Sequence, residues 1–341
     1  MSNQRTRPDG TRDAEIASST ERDAEVASSA ASVGVPDTES VARRIDAAAD
    51  PDAQHTRRRG LRRPLAVAGF LGVFVLAWEG AKWLAGDPWR IEGLGYTHDP
   101  PFRVQQLNDL NLPHLWEIVA AYAEPFQRNA NYSLANYLFD QAVYTSTEAL
   151  IGFICGALIG VGLASLFVHF GFLERAFVPF VVASQTVPIV ALAPLIVVGL
   201  GPGLTSVVLI ATYLTFFPVT IAVMRGLRSP DPRAVELMRS YAASRWDVYR
   251  KVRLPASVPY LFTSLKIAAA ASLVGTIIGE GPGGVPQGLG RAILNFNQQY
   301  ITGPERLWAT IVVASIVGIV FFSVVRLAET YFVTRRGQAT A

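Results

Sequence analysis

The chain has 341 residues, half of them apolar, with a net charge of +3 and one cysteine. The lone Cys155 excludes a disulfide framework, and His55, His98, His114 and His169 are scattered without metal-ligand spacing. Several windows reach about 20 apolar residues, enough to cross ~30 Å of hydrocarbon as a helix, so only an integral membrane protein fits.

Residues 1–60 are rich in Ser, Ala, Asp and Arg and hold a near repeat, TRDAEIASS at 11–19 and ERDAEVASS at 21–29. Such a stretch cannot bury enough apolar surface to offset its ordering entropy, and it reads as a disordered cytoplasmic tail. The first transmembrane helix falls at 61–84, with its apolar part from about 65 and no cleavage pattern behind it. Residues 85–140 are acidic and aromatic, with Trp89, Tyr96, Trp116, Tyr122, Tyr132 and Tyr137, as in an interfacial belt. They read as an extracytoplasmic connector, with a short surface helix between Leu112 and Tyr122. Five further spans follow at about 143–168, 176–199, 204–224, 258–279 and 308–331, and residues 336–341 form a short cytoplasmic tail. The expected fold is an all-α polytopic membrane bundle with six transmembrane helices.

Charge sets the expected orientation. Five arginines between Arg57 and Arg63 precede the first span, Arg335 and Arg336 follow the last, and seven arginines with Lys251 crowd residues 225–253. The positive-inside rule puts both termini and the central loop in the cytoplasm of a cell-membrane protein. The basic residues therefore serve topology and point to no nucleic-acid partner.

Within the spans, Gly152, Gly156 and Gly160 recur every four residues, a stripe that lets another helix approach closely. Ser184, Gln185, Thr186 and Pro188 form a polar, helix-breaking cluster, of the kind tolerated at membrane depth against protein or a water-filled path. Ser272 and Thr276 add polar groups to the fifth span. Lys266 and Glu280 bracket that span, close enough to its ends to reach water, and intramembrane charges of this kind are functional candidates. Ser184, Gln185, Thr186, Pro188, Ser272, Thr276 and Glu280 are thus the candidate lining of a translocation path. The glycine-rich run 281–290 lacks the Lys-Ser/Thr of a phosphate loop, and it reads either as a flexible outer turn or as a docking site.

The most informative stretch is 231–255, DPRAVELMRSYAASRWDVYRKVRLP, inside the polar loop 226–257. Asp231–Pro232 reads as an N-cap followed by proline at the first helical position. A break comes at Ala242–Ala243, and Ser244 with Asp247 restarts a helix as in a capping box. Leu254–Pro255 is expected to end it, since proline disfavours the α conformation before it.

This loop resembles the EAA loop of the membrane subunits of binding-protein-dependent ABC importers. Glu236 holds the acidic position, Val252 the branched apolar one and Leu254–Pro255 the last two, while Leu237, Met238 and Ala242 replace two alanines and a glycine. SQTVPIVALAPLIVVGLGPG at 184–203 and LPASVPYLFTSLKIA at 254–268 extend the resemblance to the nitrate/sulfonate/taurine branch over 141–335. The resemblance implies a type I importer permease (MetI-like) and a coupling role for the loop. Val235, Met238 and Tyr241 would then give apolar contact to an ATPase, with Glu236, Arg239 and Arg245 orienting it; Ala242, Trp246, Leu254 and Pro255 complete the set. It also implies two ATPase subunits, a second permease copy and an external substrate-binding protein. None of Lys82, Lys251 and Lys266 follows a glycine, so a Walker A loop is missing and no cofactor is expected on this chain. ATP and Mg would belong to the partner. Relatives of this type handle nitrate, sulfonates such as taurine, or vitamin precursors such as hydroxymethylpyrimidine or riboflavin, and Gly279, Glu280, Gly288, Leu289 and Gly290 resemble the vitamin-precursor group slightly more. The rival readings are an ion-coupled secondary transporter, which would be expected to show inverted repeats, and a non-transporting scaffold.

Overall fold

A computed structural model describes residues 51–91, 96–127, 131–281 and 285–337. The expected tail over 1–50 and residues 338–341 lie outside the described residues, while helix already begins at Pro51. The chain divides into two units, Met1–Leu76 and Ala77–Ala341. In the first, the leading part of helix α1 (Pro51–Ala85) exposes Val67, Phe70, Leu71 and Val73, as a lipid-facing span does.

The second unit opens with the end of α1 and the connector. Two short antiparallel strands, β1 (Trp89–Ile91) and β2 (Tyr96–His98), pair Arg90 with Thr97. Helix α2 (Leu115–Ala121) lies inside the expected 112–122 interval, and its first turn is capped by Glu117, which accepts from His114 N at 2.9 Å. The connector is clasped to α1 by polar bonds: fully buried Lys82 reaches Asp109 at 2.7 Å and Leu112 O at 2.6 Å. Glu79 accepts from Leu115 N at 2.9 Å and meets His114 Nδ1 at 2.7 Å. Tyr122 donates to Ala309 O at 2.9 Å, and burial pushes its phenol pKa up.

The bundle follows: α3 (Leu134–His169), α4 (Gly171–Ser184), α5 (Ile189–Leu200), α6 (Leu204–Leu227), α7 (Pro232–Ser240), α8 (Arg245–Val248), α9 (Leu254–Glu280), α10 (Leu289–Gln298) and α11 (Pro304–Gly337). Among the described residues, α1, α3, α6, α8–α9 and α11 are long and apolar enough to span a membrane. The third expected span, 176–199, is not a straight rod. It is α4 and α5, bent by 101° around Gln185–Pro188, and the pair supplies the sixth crossing if counted as one. Pro188 explains the bend, because proline removes a backbone donor and holds the preceding residue out of the α region.

Helix α6 sits at the centre, packed between α3 and α9. Its contact with α3 is close because glycines line it: a Cβ on Gly152 would lie 2.4 Å from Ala211 Cβ, one on Gly156 2.5 Å from Thr215 Cβ, and one on Gly160 2.8 Å from Phe216 O. Thr212 Oγ1 donates to Gly152 O at 3.3 Å across the same seam. In lipid, where apolar surface alone does not drive helices together, such contacts are what hold them. Lys266 on α9 pairs with Glu329 on α11 at 2.8 Å, both side chains partly exposed.

Candidate functional site: a capped loop and a polar seam

The loop between α6 and α9 has well-defined ends. Asp231 accepts from Arg233 N at 2.9 Å, with Pro232 at the first helical position of α7. At the other end, Ala242 N reaches Arg239 O at 2.9 Å and Ala243 N reaches Met238 O at 3.0 Å. These two bonds form a Schellman turn, and they place Ala242 at φ +54°, a position usually held by glycine. Ser244 then caps α8, accepting from Asp247 N at 3.1 Å and donating to the Asp247 carboxylate at 2.5 Å. The Ser244 hydroxyl, and after it Lys251, hold the Asp247 carboxyl below its usual range.

Leu254–Pro255 does not end this helix. Residues Tyr249–Arg253 form a π turn in which Leu254 N bonds Tyr249 O, and α9 continues without a break. The wider turn accommodates a proline ring that would otherwise crowd the carbonyl four residues back. Tyr249 fixes the turn to the bundle through its hydroxyl, 2.8 Å from Ser165 Oγ.

The loop's outer face differs in part from expectation. Glu236, Arg239 and Arg245 are exposed, but Val235 and Met238 are half-buried toward the protein. Tyr241 is exposed as expected, and the other exposed apolar groups are Leu237 and Trp246, with Trp246 stacked on Tyr249 at 5.4 Å. Arg239, Arg245 and Arg253 line a cavity of about 240 Å³ with His169 and Tyr249. Leu254 and Pro255 are exposed beside it.

The candidate path residues fall into two groups. Gln185, Thr186 and Pro188 are exposed at the α4–α5 elbow, where Ser184 O accepts from Tyr213 of α6. Ser272, Thr276 and Glu280 are buried on one stripe of α9 that faces α3. Ser272 donates to Ala149 O at 2.7 Å, and Glu280 accepts from Thr145 Oγ1 at 2.6 Å. In this structure those two make packing bonds between helices, and Glu280 does not face water. No hydrogen bond among the described residues joins the elbow to the stripe.

At the end of α9 away from the loop, three successive N–H groups at the start of α10 meet side chains from the seam. Gly288 N bonds Gln141 Oε1 at 2.6 Å, Leu289 N bonds Thr145 Oγ1 at 2.8 Å, and Gly290 N bonds Glu280 Oε2 at 2.6 Å. Gly288, at φ +108°, leaves no room for a side chain: a Cβ there would lie 2.3 Å from Glu280 Cδ. The described part of the 281–290 run is therefore a pinned turn. Sequence reading missed Glu148, one turn beyond Thr145 on α3 and fully buried. The signal was present: a glutamate in TSTEAL, inside an expected span, is an intramembrane charge.

A capped polar loop between long spans, a broken helix pair and a glycine-packed core define a membrane transport subunit. Residues 152–336, just over half of the chain, match the family model for the binding-protein-dependent transport system inner membrane component, and the chain belongs to that family. It is similar to the formylaminopyrimidine transport permease protein ThiX of Halalkalibacterium halodurans, with 32% identity over 52% of this chain and 70% of that protein. It is also similar to the riboflavin transport system permease protein RibX of Chloroflexus aurantiacus, with 34% identity over 42% of this chain and 53% of that one. A crystal structure of an amino acid ABC transporter shares the fold, with a TM-score of 0.50 and 16% identity over 58% of this chain and 94% of that chain. This chain is the permease subunit of an ABC importer and not itself an enzyme; ATP hydrolysis belongs to a separate subunit.

Proposed function

We propose that the α7–α8 loop is the seat of an ATP-hydrolysing subunit, and that two copies of this chain stand over two such subunits. The observation that carries this is the loop's construction. Both helices are capped, and Leu237, Tyr241 and Trp246 stand exposed beside Glu236, Arg239 and Arg245, between two membrane spans. Exposed aromatic anchors ringed by arginine are the composition of an interface hot spot. The arginine clusters support a cytoplasmic position for the loop and both termini. ATP and Mg are bound by the partner, whose closure shifts the permease between inward and outward access by differential binding to two states.

An external binding protein delivers the solute, which we assign to the pyrimidine or flavin class. The identity to formylaminopyrimidine and riboflavin permeases supports that class, as does the glycine pattern around Glu280. The test is affinity purification of the tagged chain from its native membrane in mild detergent, with mass spectrometry of what accompanies it. A stoichiometric Walker-motif ATPase is expected, and an accompanying binding protein is then screened against pyrimidines, flavins, sulfonates and nitrate. Repeated recovery of intact chain without an ATPase, even after cross-linking, overturns the proposal.

A further inference from the structure

The seam between α3 and α9 holds a second buried carboxyl that none of the transport chemistry above uses. Glu280 has its donors: Thr145 on one oxygen and Gly290 N on the other, with the N-terminus of the ten-residue α10 beside it. Glu148 is 1% exposed, and both of its oxygens are buried without a hydrogen-bond partner. Glu148 lies one turn beyond Thr145 on α3, and Thr145 bonds Glu280, so the two carboxyl groups are neighbours across the seam.

A second orphan points to the same place. Thr276 lies midway between Ser272, bonded to Ala149 O, and Glu280, bonded to Thr145, so it faces α3 beside Glu148. Its hydroxyl is buried and unpartnered too.

The nearest basic residue along α10, Arg291, directly follows Gly290 but forms no ion pair with either carboxyl. Glu280 meets Thr145 of α3 and the Gly290 N–H of α10, and the N–H groups of Gly288 and Leu289 are taken by Gln141 and Thr145. Tyr144 lies near Glu148 but outside hydrogen-bond geometry. Among the described residues, neither carboxyl forms an ion pair with Lys, Arg or His. Two ionised carboxylates side by side in a membrane interior would repel, and one of them would also lack any donor. A hydrogen between them removes one charge and supplies the missing donor. The negative charge belongs on Glu280, which already accepts two hydrogen bonds and faces a helix N-terminus. The hydrogen therefore belongs on Glu148.

We propose that Glu148 and Glu280 form an intramembrane proton site, in which protonated Glu148 donates to the Glu280 carboxylate and ties α3 to α9 beneath the start of α10. Loss of that proton would set two like charges in the seam and drive the helices apart there.

The test is infrared spectroscopy of the purified chain, carrying carboxyl-13C glutamate, in an ester-free maltoside detergent at about pH 8, where solvated carboxyls are ionised. The wild type is expected to show a protonated-glutamate C=O band that shifts in D2O. Glu148→Gln, whose amide can donate to Glu280 in place of the proton, is expected to lose that band while keeping the elution profile of the wild type. Absence of the band in the wild type overturns the proposal on its own, whether or not the variant folds. It would mean that both groups are ionised, with a metal cation between them or a shifted Tyr144 donating to Glu148. A band of unchanged intensity in Glu148→Gln also overturns it.

Discussion

Replacing Gly156 with alanine should loosen the close crossing of α3 and α6. The added Cβ would lie 2.5 Å from Thr215 Cβ, 2.7 Å from its Cγ2 and 2.9 Å from Thr212 O. Carbon atoms in ordinary contact stand about 3.5–4.0 Å apart, so α3 and α6 must separate by about 1 Å at that point. Overpacking of this kind costs about 1–3 kcal/mol. The Thr212–Gly152 bond, already 3.3 Å long, would be lost with it, and interhelical bonds in membranes average about 0.6 kcal/mol. Alanine's better helix propensity returns up to about 1 kcal/mol. The net loss is about 2 kcal/mol, roughly thirtyfold in the folded ratio.

Gly162 on the same helix is the control, because a Cβ there meets nothing within 4 Å. Thermal unfolding followed by size-exclusion chromatography in one detergent compares the two variants directly. Gly162→Ala should match or exceed the wild type and Gly156→Ala should fall below it. Equal stability of the two variants would refute the close-approach argument.

Three further outcomes are expected. Ala242→Gly should stabilise the loop by a few tenths to about 1 kcal/mol, since it relieves a left-handed alanine at some cost in unfolded-chain entropy; hydrogen exchange at residues 238–244 measures this. Glu236→Ala combined with Arg245→Ala changes only exposed groups, so the monomer should melt within about 0.5 kcal/mol of the wild type. The same pair should reduce ATPase recovery about tenfold, and undiminished recovery would count against docking at this loop. Lys82→Met should cost about 2 kcal/mol, below the 3–5 kcal/mol of a fully buried pair, because its partner Asp109 is 44% exposed and can rehydrate. Faster proteolysis within 85–140 is the readout.

What was legible in the sequence was what depends on short-range chemistry. Asp231–Pro232 and Ser244–Asp247 announce helix starts because capping is a matter of neighbours along the chain. The spans were legible because length and apolarity alone define them. The third span was misjudged in shape: Pro188 marked a break, but its 101° angle depends on packing, including the bond from Tyr213 to Ser184 O. Leu254–Pro255 misled for a related reason, since a π turn held by Tyr249 against Ser165 lets the helix run through the proline. The α3–α9 seam was the least visible part. Gln141, Thr145, Glu148 and Glu280 are brought together across more than 130 residues, and no local pattern encodes that meeting.

The π turn also makes one continuous rod of the segment from Arg245 to Glu280, 36 residues and about 50 Å long. Trp246 stands exposed near one tip, and Glu280, which holds the start of α10, forms the other. A rod of that length works as a lever: a tilt of about 5° around its middle moves each tip by roughly 2 Å. That displacement is enough to break a 2.6 Å hydrogen bond at Gly290. The same lever works in reverse, so a change at Glu280 would be felt at Trp246, and the compliance of five residues, Tyr249–Arg253, sets how much motion is lost on the way.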